Sequence, residues 1–288
     1  TFSLTRCQSP RASETSIWAG KGRRRLVASV LPVVLCLLVS VPCLTGQASP
    51  ARSVPQSDST ALSLAAQSMA ALTRGSPLSD VTLTAQASRF AGSDNETGVA
   101  TLAAKGTGNS RVDLVLSGGR RTEIRTVTAG FPTGTWSGID GASHECPAHN
   151  CWTDAVWFFP ALLSFSTAGS DPNLVLSYVG GETRAGVQVQ HIRSRYRSDL
   201  GLFQRLSRVD IYVDQTSHLP VAITFNTHAD NDANLNIPVE IQFSDYREVN
   251  GVKVPFQINK LLSGTLVLQL SVSNATINTG LPDSYFKL

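Results

Sequence analysis

The chain has 288 residues, with 24 Lys or Arg against 21 Asp or Glu and a formal net charge of +3. Six of those basic residues and one acid fall within residues 1–48, so the remainder holds 18 basic and 20 acidic residues, a net of −2. A basic face for nucleic acid therefore has no compositional support, while about 240 residues are enough to bury a full core.

Taken in chain order, residues 23–44 come first. Arg23, Arg24 and Arg25 precede an apolar run from Leu26 to Leu44, and Gly46 and Ala48 follow it at the spacing of a cleavage site. A basic start, an apolar middle and small residues at the end predict a secretory signal peptide cut near Ala48. Pro32, Pro42 and the shortness of the run argue against a permanent anchor helix. Pro42 before Cys43, where a small residue would be wanted, argues against an acylated lipoprotein. The expected location is periplasmic or secreted. Residues 1–48 are then an upstream segment plus signal, 49–58 a Pro/Ser/Arg linker, and 59–288 one domain.

Leu62, Ala65, Ala66, Met69 and Leu72 recur at helical spacing. They predict a short amphipathic helix from Ser59 to Arg74, capped by Asp58, Ser59 or Thr60 and ended at Gly75. Strands follow at Val81–Ser88, more weakly at Gly98–Lys105, at Val112–Leu116 and at Thr122–Thr128, with Gly118-Gly119 as a hairpin signal. Residues 129–150 read as irregular. Thr153 to Phe165 then breaks the β pattern with Trp157, Phe158, Phe159, Leu162, Leu163 and Phe165, with Trp152 at its edge. A segment apolar all round is buried on more than one side, and Pro160 splits it into two short helical pieces. Strands resume at Leu174–Tyr178 and Val187–Tyr196. From Val209 to Val272 they alternate cleanly: Val209, Ile211 and Val213; Val221, Ile223 and Phe225; Val239, Ile241 and Phe243; Val252, Val254, Phe256 and Ile258. Period-2 alternation gives one wet and one apolar face, as in an antiparallel sheet. The fold class is α+β, mainly antiparallel β, with about ten to eleven strands. One helix is too narrow to cover such a sheet, so the aromatic insert around 129–170 is its second cover.

Asp210-Ile-Tyr-Val-Asp-Gln-Thr-Ser-His-Leu-Pro-Val221, Tyr246-Arg-Glu-Val-Asn-Gly-Val-Lys-Val-Pro-Phe256 and the terminal Leu281-Pro-Asp-Ser-Tyr-Phe286 resemble units of the LolA/LolB-like periplasmic lipoprotein-carrier superfamily. That superfamily includes related sigma-regulatory and mycobacterial lipid-transport proteins. The resemblance covers roughly residues 59–288 and implies an open, incomplete barrel covered by helices, with an apolar cavity for acyl chains. It implies no cofactor. The expected partner is the acyl chain of a lipid or lipoprotein, with an envelope protein and transient membrane contact as further expectations and no nucleic acid. The insert has no obvious counterpart in those carriers, and none of their functional residues maps onto a position here.

The candidate sites follow from side-chain chemistry. Trp152, Trp157, Phe158, Phe159 and Leu162 would line an apolar cavity, or else be ordinary core. Cys146 and Cys151, the pair left once Cys7, Cys36 and Cys43 leave with the signal, are expected as a disulfide in an oxidising compartment. His144, Cys146, His149 and Cys151 could instead form a zinc site, though their spacing is not a standard one and zinc would need both thiolates. His191, Arg193, Arg195 and Arg197 alternate on one strand face and could meet an anionic group, or could merely be solvated. Asp230, Asp232, Asn234 and Asn236 resemble a calcium loop but lack its glycine and its terminal acid, so a polar hairpin is expected. No Gly-x-Ser-x-Gly, His-Glu-x-x-His or phosphate loop is present, and Asp214, Ser217 and His218 are read as shaping a turn. The reading is a non-enzymatic carrier. An envelope interaction module on the same scaffold and a secreted hydrolase using His144 or His149 are the alternatives.

Overall fold

The computed structural model describes residues 56–288. The segment read as a signal peptide, and most of the linker, lie outside these residues. Helix α1 spans Ser59–Thr73 and is capped by Asp58, whose carboxylate accepts from Thr60 N at 2.7 Å and Ala61 N at 3.4 Å. That satisfies amides otherwise left without an intrahelical partner. The helix ends as Arg74 turns left-handed, with Gly75 following. Just before α1 the chain is tied to the sheet: Asp58 N donates to Leu176 O at 2.8 Å, and Leu176 N donates to Ser57 Oγ at 3.1 Å.

Thirteen strands follow. The first six are β1 (Asp80–Ala91), β2 (Asp94–Lys105), β3 (Ser110–Leu116), β4 (Gly119–Thr128), β5 (Phe131–Ser137) and β6 (Ser143–Glu145). After an insert come β7 (Leu174–Arg184) and β8 (Val187–Tyr196), then a short helix α2 (Gly201–Leu206). The rest are β9 (Val209–Asp214), β10 (Pro220–Ala229), β11 (Asp232–Val249), β12 (Val252–Leu262) and β13 (Thr265–Ile277). All belong to one antiparallel sheet in the order β6-β5-β4-β3-β2-β1-β13-β12-β11-β10-β9-β8-β7. The first and last strands pair, with Val81 opposite Ile277 and Ala87 opposite Leu270. The two free edges are thus β6 and β7, which follow one another in sequence. The sheet is an unclosed half-barrel, and the insert spans its open seam.

The strand alternation places one set of side chains on the inner face. Leu83, Leu102 and Val112 stand in register across β1, β2 and β3. Ile192, Ile211, Ile223 and Ile241 do the same across β8 to β11. These residues join Ala61, Ala65 and Leu72 of α1 and Phe158, Phe159, Leu163 and Phe165 of the insert in a single buried cluster. On the outer face the C-terminal segment forms a second, smaller core. There Phe286 packs with Ala103 and Ile124. Arg111 fixes this segment by donating to the carbonyls of Tyr285 and Lys287 at 3.2 and 3.0 Å, and Lys105 pairs with Asp283 at 2.6 Å.

Two expectations are corrected, and one element was not foreseen. The sheet has thirteen strands, because Phe131–Ser137, read as irregular, pairs onto β4, and Ser143–Glu145 pairs onto that strand in turn, as short strands at the sheet's end. Gly and Pro are tolerated at such an edge. The aromatic segment is not α-helical. It folds into 3₁₀ turns at Pro160–Leu162 and Ser164–Thr167, after an earlier one at Ala148–Asn150. Pro160, which has no amide donor, opens its turn, and Leu163 is extended, so no α-helix can run through. Helix α2 had no periodic signal, since six residues are fewer than two turns.

Phe159 is fully buried. Phe159→Ala is expected to lower unfolding free energy by about 3–5 kcal/mol, read as an earlier urea midpoint. A change under about 1 kcal/mol would mean that the insert does not pack as described.

Candidate functional site

A cleft of about 770 Å³ opens where the half-barrel fails to close. Gly106–Gly108 in the β2–β3 turn and Arg125–Val127 at the end of β4 form one wall, with Phe131 at the start of β5. Tyr196 and Arg197 at the end of β8, Phe203 on α2 and Val209 on β9 form the other. The insert supplies the floor with Cys151, Trp152, Asp154, Leu162 and Leu163. Trp152 is the hub. Its ring meets Phe203 edge-on at 5.0 Å between centroids, Tyr196 at 6.1 Å and Phe131 at 6.5 Å. Edge-to-face packing at these separations is favourable. Phe131 stands 67% exposed at the rim, and Leu200 and Leu202 flanking Phe203 are also exposed. The volume lies within the ~300–1,000 Å³ of pockets that take drug-sized or cofactor-sized ligands.

The floor is held by one asparagine. Asn150 Nδ2 donates to His228 O at 2.9 Å, and its Oδ1 accepts from His228 N at 2.8 Å. The side chain thus pairs as a strand would with the part of β10 that lies beyond β9's last partner, Phe225. His149 Nε2 lies 3.0 Å from Ala229 O alongside. On the other side Arg125 Nη1 donates to Asn150 O at 2.7 Å. The insert is therefore stitched to β4 and β10 at once, and Trp152 follows two residues later.

Cys146 and Cys151 are free thiols in this structure, so the expected disulfide is not observed. The Cys151 thiol is directed at the carbonyls of Cys146 and Pro147, at 3.8 and 3.6 Å. The neighbouring Cys146 thiol and, after it, the Arg125 guanidinium outweigh burial and bring Cys151 down to about 7, while the Cys151 thiol and burial push Cys146 up. The four residues of the zinc alternative are not brought together here. His144 stacks on Trp136 at 4.3 Å, His149 turns to β10, and no three His, Cys, Asp or Glu among the described residues come together as a metal site requires.

Of the five residues expected to line a cavity, Trp152 and Leu162 do so. Trp157, Phe158 and Phe159 do not. They are buried in the main core on the far side of the floor, where aromatic area is best removed from water. Sequence reasoning missed Phe131, Tyr196 and Phe203, which come from three separate elements and share no spacing. The basic row is on the outer face. His191 Nε2 and Arg193 Nε meet Asp210 Oδ1 at 2.7 and 2.8 Å, Arg208 Nε meets its Oδ2 at 2.8 Å, and Arg195 bonds Gln204 at 3.0 Å. Only Arg197 of the row reaches the cleft. Burial alone would raise the Asp210 carboxyl, but its three donors outweigh burial and bring it down to about 2. Asp232 closes the β10–β11 hairpin by accepting from Asn234 N, and Asn234 and Asn236 both accept from Arg205. Asp214 likewise shapes its turn by accepting from Thr216 N, Ser217 N and Ser217 Oγ.

No family model matches the sequence, and no curated protein matches it. Solved structures do resemble the fold. An outer membrane lipoprotein-sorting protein domain from Vibrio parahaemolyticus superposes with a TM-score of 0.52 at 12% identity, covering 78% of this chain and 95% of that one. A DUF1329 family protein from Desulfovibrio piger gives 0.51 at 13% identity, over 79% and 96%. A LolA superfamily protein from Nitrosomonas europaea gives 0.50 at 12% identity, over 79% and 97%. The fold is LolA-like.

Two outcomes are expected. Asp210 titrates near 2 when folded against 3.8 for the free group, so its contribution of about 2 kcal/mol is present above pH ~4 and is lost as pH falls toward ~2. Asp210→Asn should flatten that part of the stability-against-pH curve, and an unchanged curve would contradict the assignment. Cys146 and Cys151 should close to a disulfide in an oxidised glutathione buffer, read as a mass lower by about 2 Da and loss of maleimide labelling. Continued labelling of both thiols would show that they remain apart.

Proposed function

We propose that the protein is an exported carrier that holds the acyl chain of a lipid or lipoprotein in the seam cleft and catalyses nothing. The observation that carries this reading is the aromatic box of Phe131, Trp152, Tyr196 and Phe203 around a cleft of about 770 Å³, open at a rim of exposed apolar side chains. The LolA-like fold supports it. An export signal would set the protein in the periplasm or outside the cell, where acyl chains need shelter from water.

Capture is passive. Each methylene removed from water contributes about 0.8 kcal/mol. No proton or electron moves, so no metal or cofactor is needed. Helix α2 is the element best placed to yield as a chain enters, since it is six residues long and carries Phe203 on its cleft side.

The test is uptake of a fluorescent palmitoyl probe. Trp152→Ala should weaken uptake about tenfold, roughly 1.4 kcal/mol, while leaving the thermal midpoint within a few degrees. Probe binding that is unchanged in folded Trp152→Ala protein would move the site elsewhere and favour an interaction module with a packed interior.

A further inference from the structure

The junction that holds the cleft floor contains a buried ring that no hydrogen bond satisfies. His228 of β10 is 3% exposed, and neither of its ring nitrogens has a hydrogen-bond partner among the described residues. A buried imidazole without partners is costly, and an apolar side chain in the same place would not be. The ring sits where two elements of the cleft meet. The His228 amide and carbonyl are both bonded by the Asn150 side chain, and Cys151 and Trp152, next along the insert, line the cleft. Thr227 Oγ1 donates to the same Asn150 Oδ1 at 3.1 Å. From the insert, the His149 ring meets the His228 ring edge-on at 6.0 Å between centroids. From α2 comes the charge of Arg205, whose guanidinium is held by Asn234 and Asn236 at 3.2 and 3.1 Å. From β11 come Asp232 and the Leu235 carbonyl.

The site favours the neutral ring. Burial first, then Arg205 and His149, hold its proton affinity below the ordinary histidine range, outweighing the Leu235 carbonyl and Asp232, which favour the charged form. A proton on His228 would set a desolvated cation against Arg205 on α2 and a second imidazole on the insert. Those two elements carry Phe203 and Trp152, whose edge-on contact at 5.0 Å is part of the aromatic box. The strain is relieved if the Asn150 bonds open and the insert moves off β10, which exposes the ring to water. We propose that His228 is an acid switch for cargo release: its protonation frees the insert from β10, parts Trp152 from Phe203 and discharges the acyl chain. This rests on the acyl-chain reading of the cleft and adds the condition under which the chain leaves. The closed form binds this proton less readily than a histidine in water, so it loses stability as pH falls below the ordinary value of 6.5. Local opening of this kind needs less free energy than global unfolding.

The experiment follows amide hydrogen exchange in the full-length protein at about pH 7.5 and about pH 5.5, corrected for the intrinsic rate at each pH. Residues 148–156 and 201–207 should exchange about tenfold faster at the lower pH, while β12 and β13 stay unchanged. A palmitoyl probe with an uncharged fluorophore should bind about tenfold more weakly over the same step. His228→Phe keeps an aromatic ring there without a titrating group and should remove both responses, and His228→Leu is a second, smaller replacement with the same expected effect. Asp154 lies on the same insert and burial raises its carboxyl, so a response that persists in the folded variants overturns the assignment to His228. Equal exchange of the insert at both pH values in the wild type overturns the switch and leaves the carrier reading standing. Faster exchange with no probe bound at either pH supports the opening of the insert and overturns the carrier reading.

Discussion

The structure depends on one topological constraint. The first and last strands of the sheet pair with each other, so its two free edges are β6 and β7, and a single stretch of chain joins them. An unpaired edge exposes a row of amides and carbonyls, and a curved sheet needs something against its inner face. The segment between β6 and β7 meets the second need, while Ser57 and Asp58 bond the β7 edge at Leu176. It carries Trp157, Phe158, Phe159 and Phe165 into the core and docks Asn150 on the backbone of β10. What it leaves uncovered is the cleft. The opening is thus a consequence of where the sheet fails to close.

Much of the sheet was legible in the sequence because its signal is local. Alternation from Val209 to Val272 placed β9 to β13, and the LolA-like half-barrel expected from the C-terminal wording is the fold observed. Asp58 was one of three named caps and is the one used. The seam was not legible. Strands β5 and β6 are short edge strands of Gly, Pro, Thr and Ser, whose pairing depends on β4 already being in place. The insert's aromatics were correctly seen as unusual, but composition alone cannot say which face of a non-periodic segment points inward. Only Trp152 and Leu162 of the five reach the cleft, and their partners Phe131, Tyr196 and Phe203 come from distant elements that meet through the fold.

The two faces of the sheet treat charge differently. Outside, the row His191, Arg193, Arg195 is largely neutralised within the protein, since Asp210 accepts from both His191 and Arg193 as well as from Arg208. This interaction stabilises β8 against β9. Inside, Lys260 rests on an aromatic face. Alternation assigns the two rows to opposite faces, but it cannot tell a paired cation from an unpaired one. The pairing of the outer row comes from the register of β8 with β9, which sets Arg193 opposite Asp210 and His191 one step from it.

The most direct measurement is photo-crosslinking with a fatty acid that carries a diazirine at the end of its chain, followed by mass spectrometric location of the labelled peptides. Label concentrated on the segments containing Phe131, Trp152 to Asp154, Leu162 and Phe203 is the expected result. Label confined to the outer face, or spread evenly over the surface of folded protein, would contradict a seam that shelters an acyl chain.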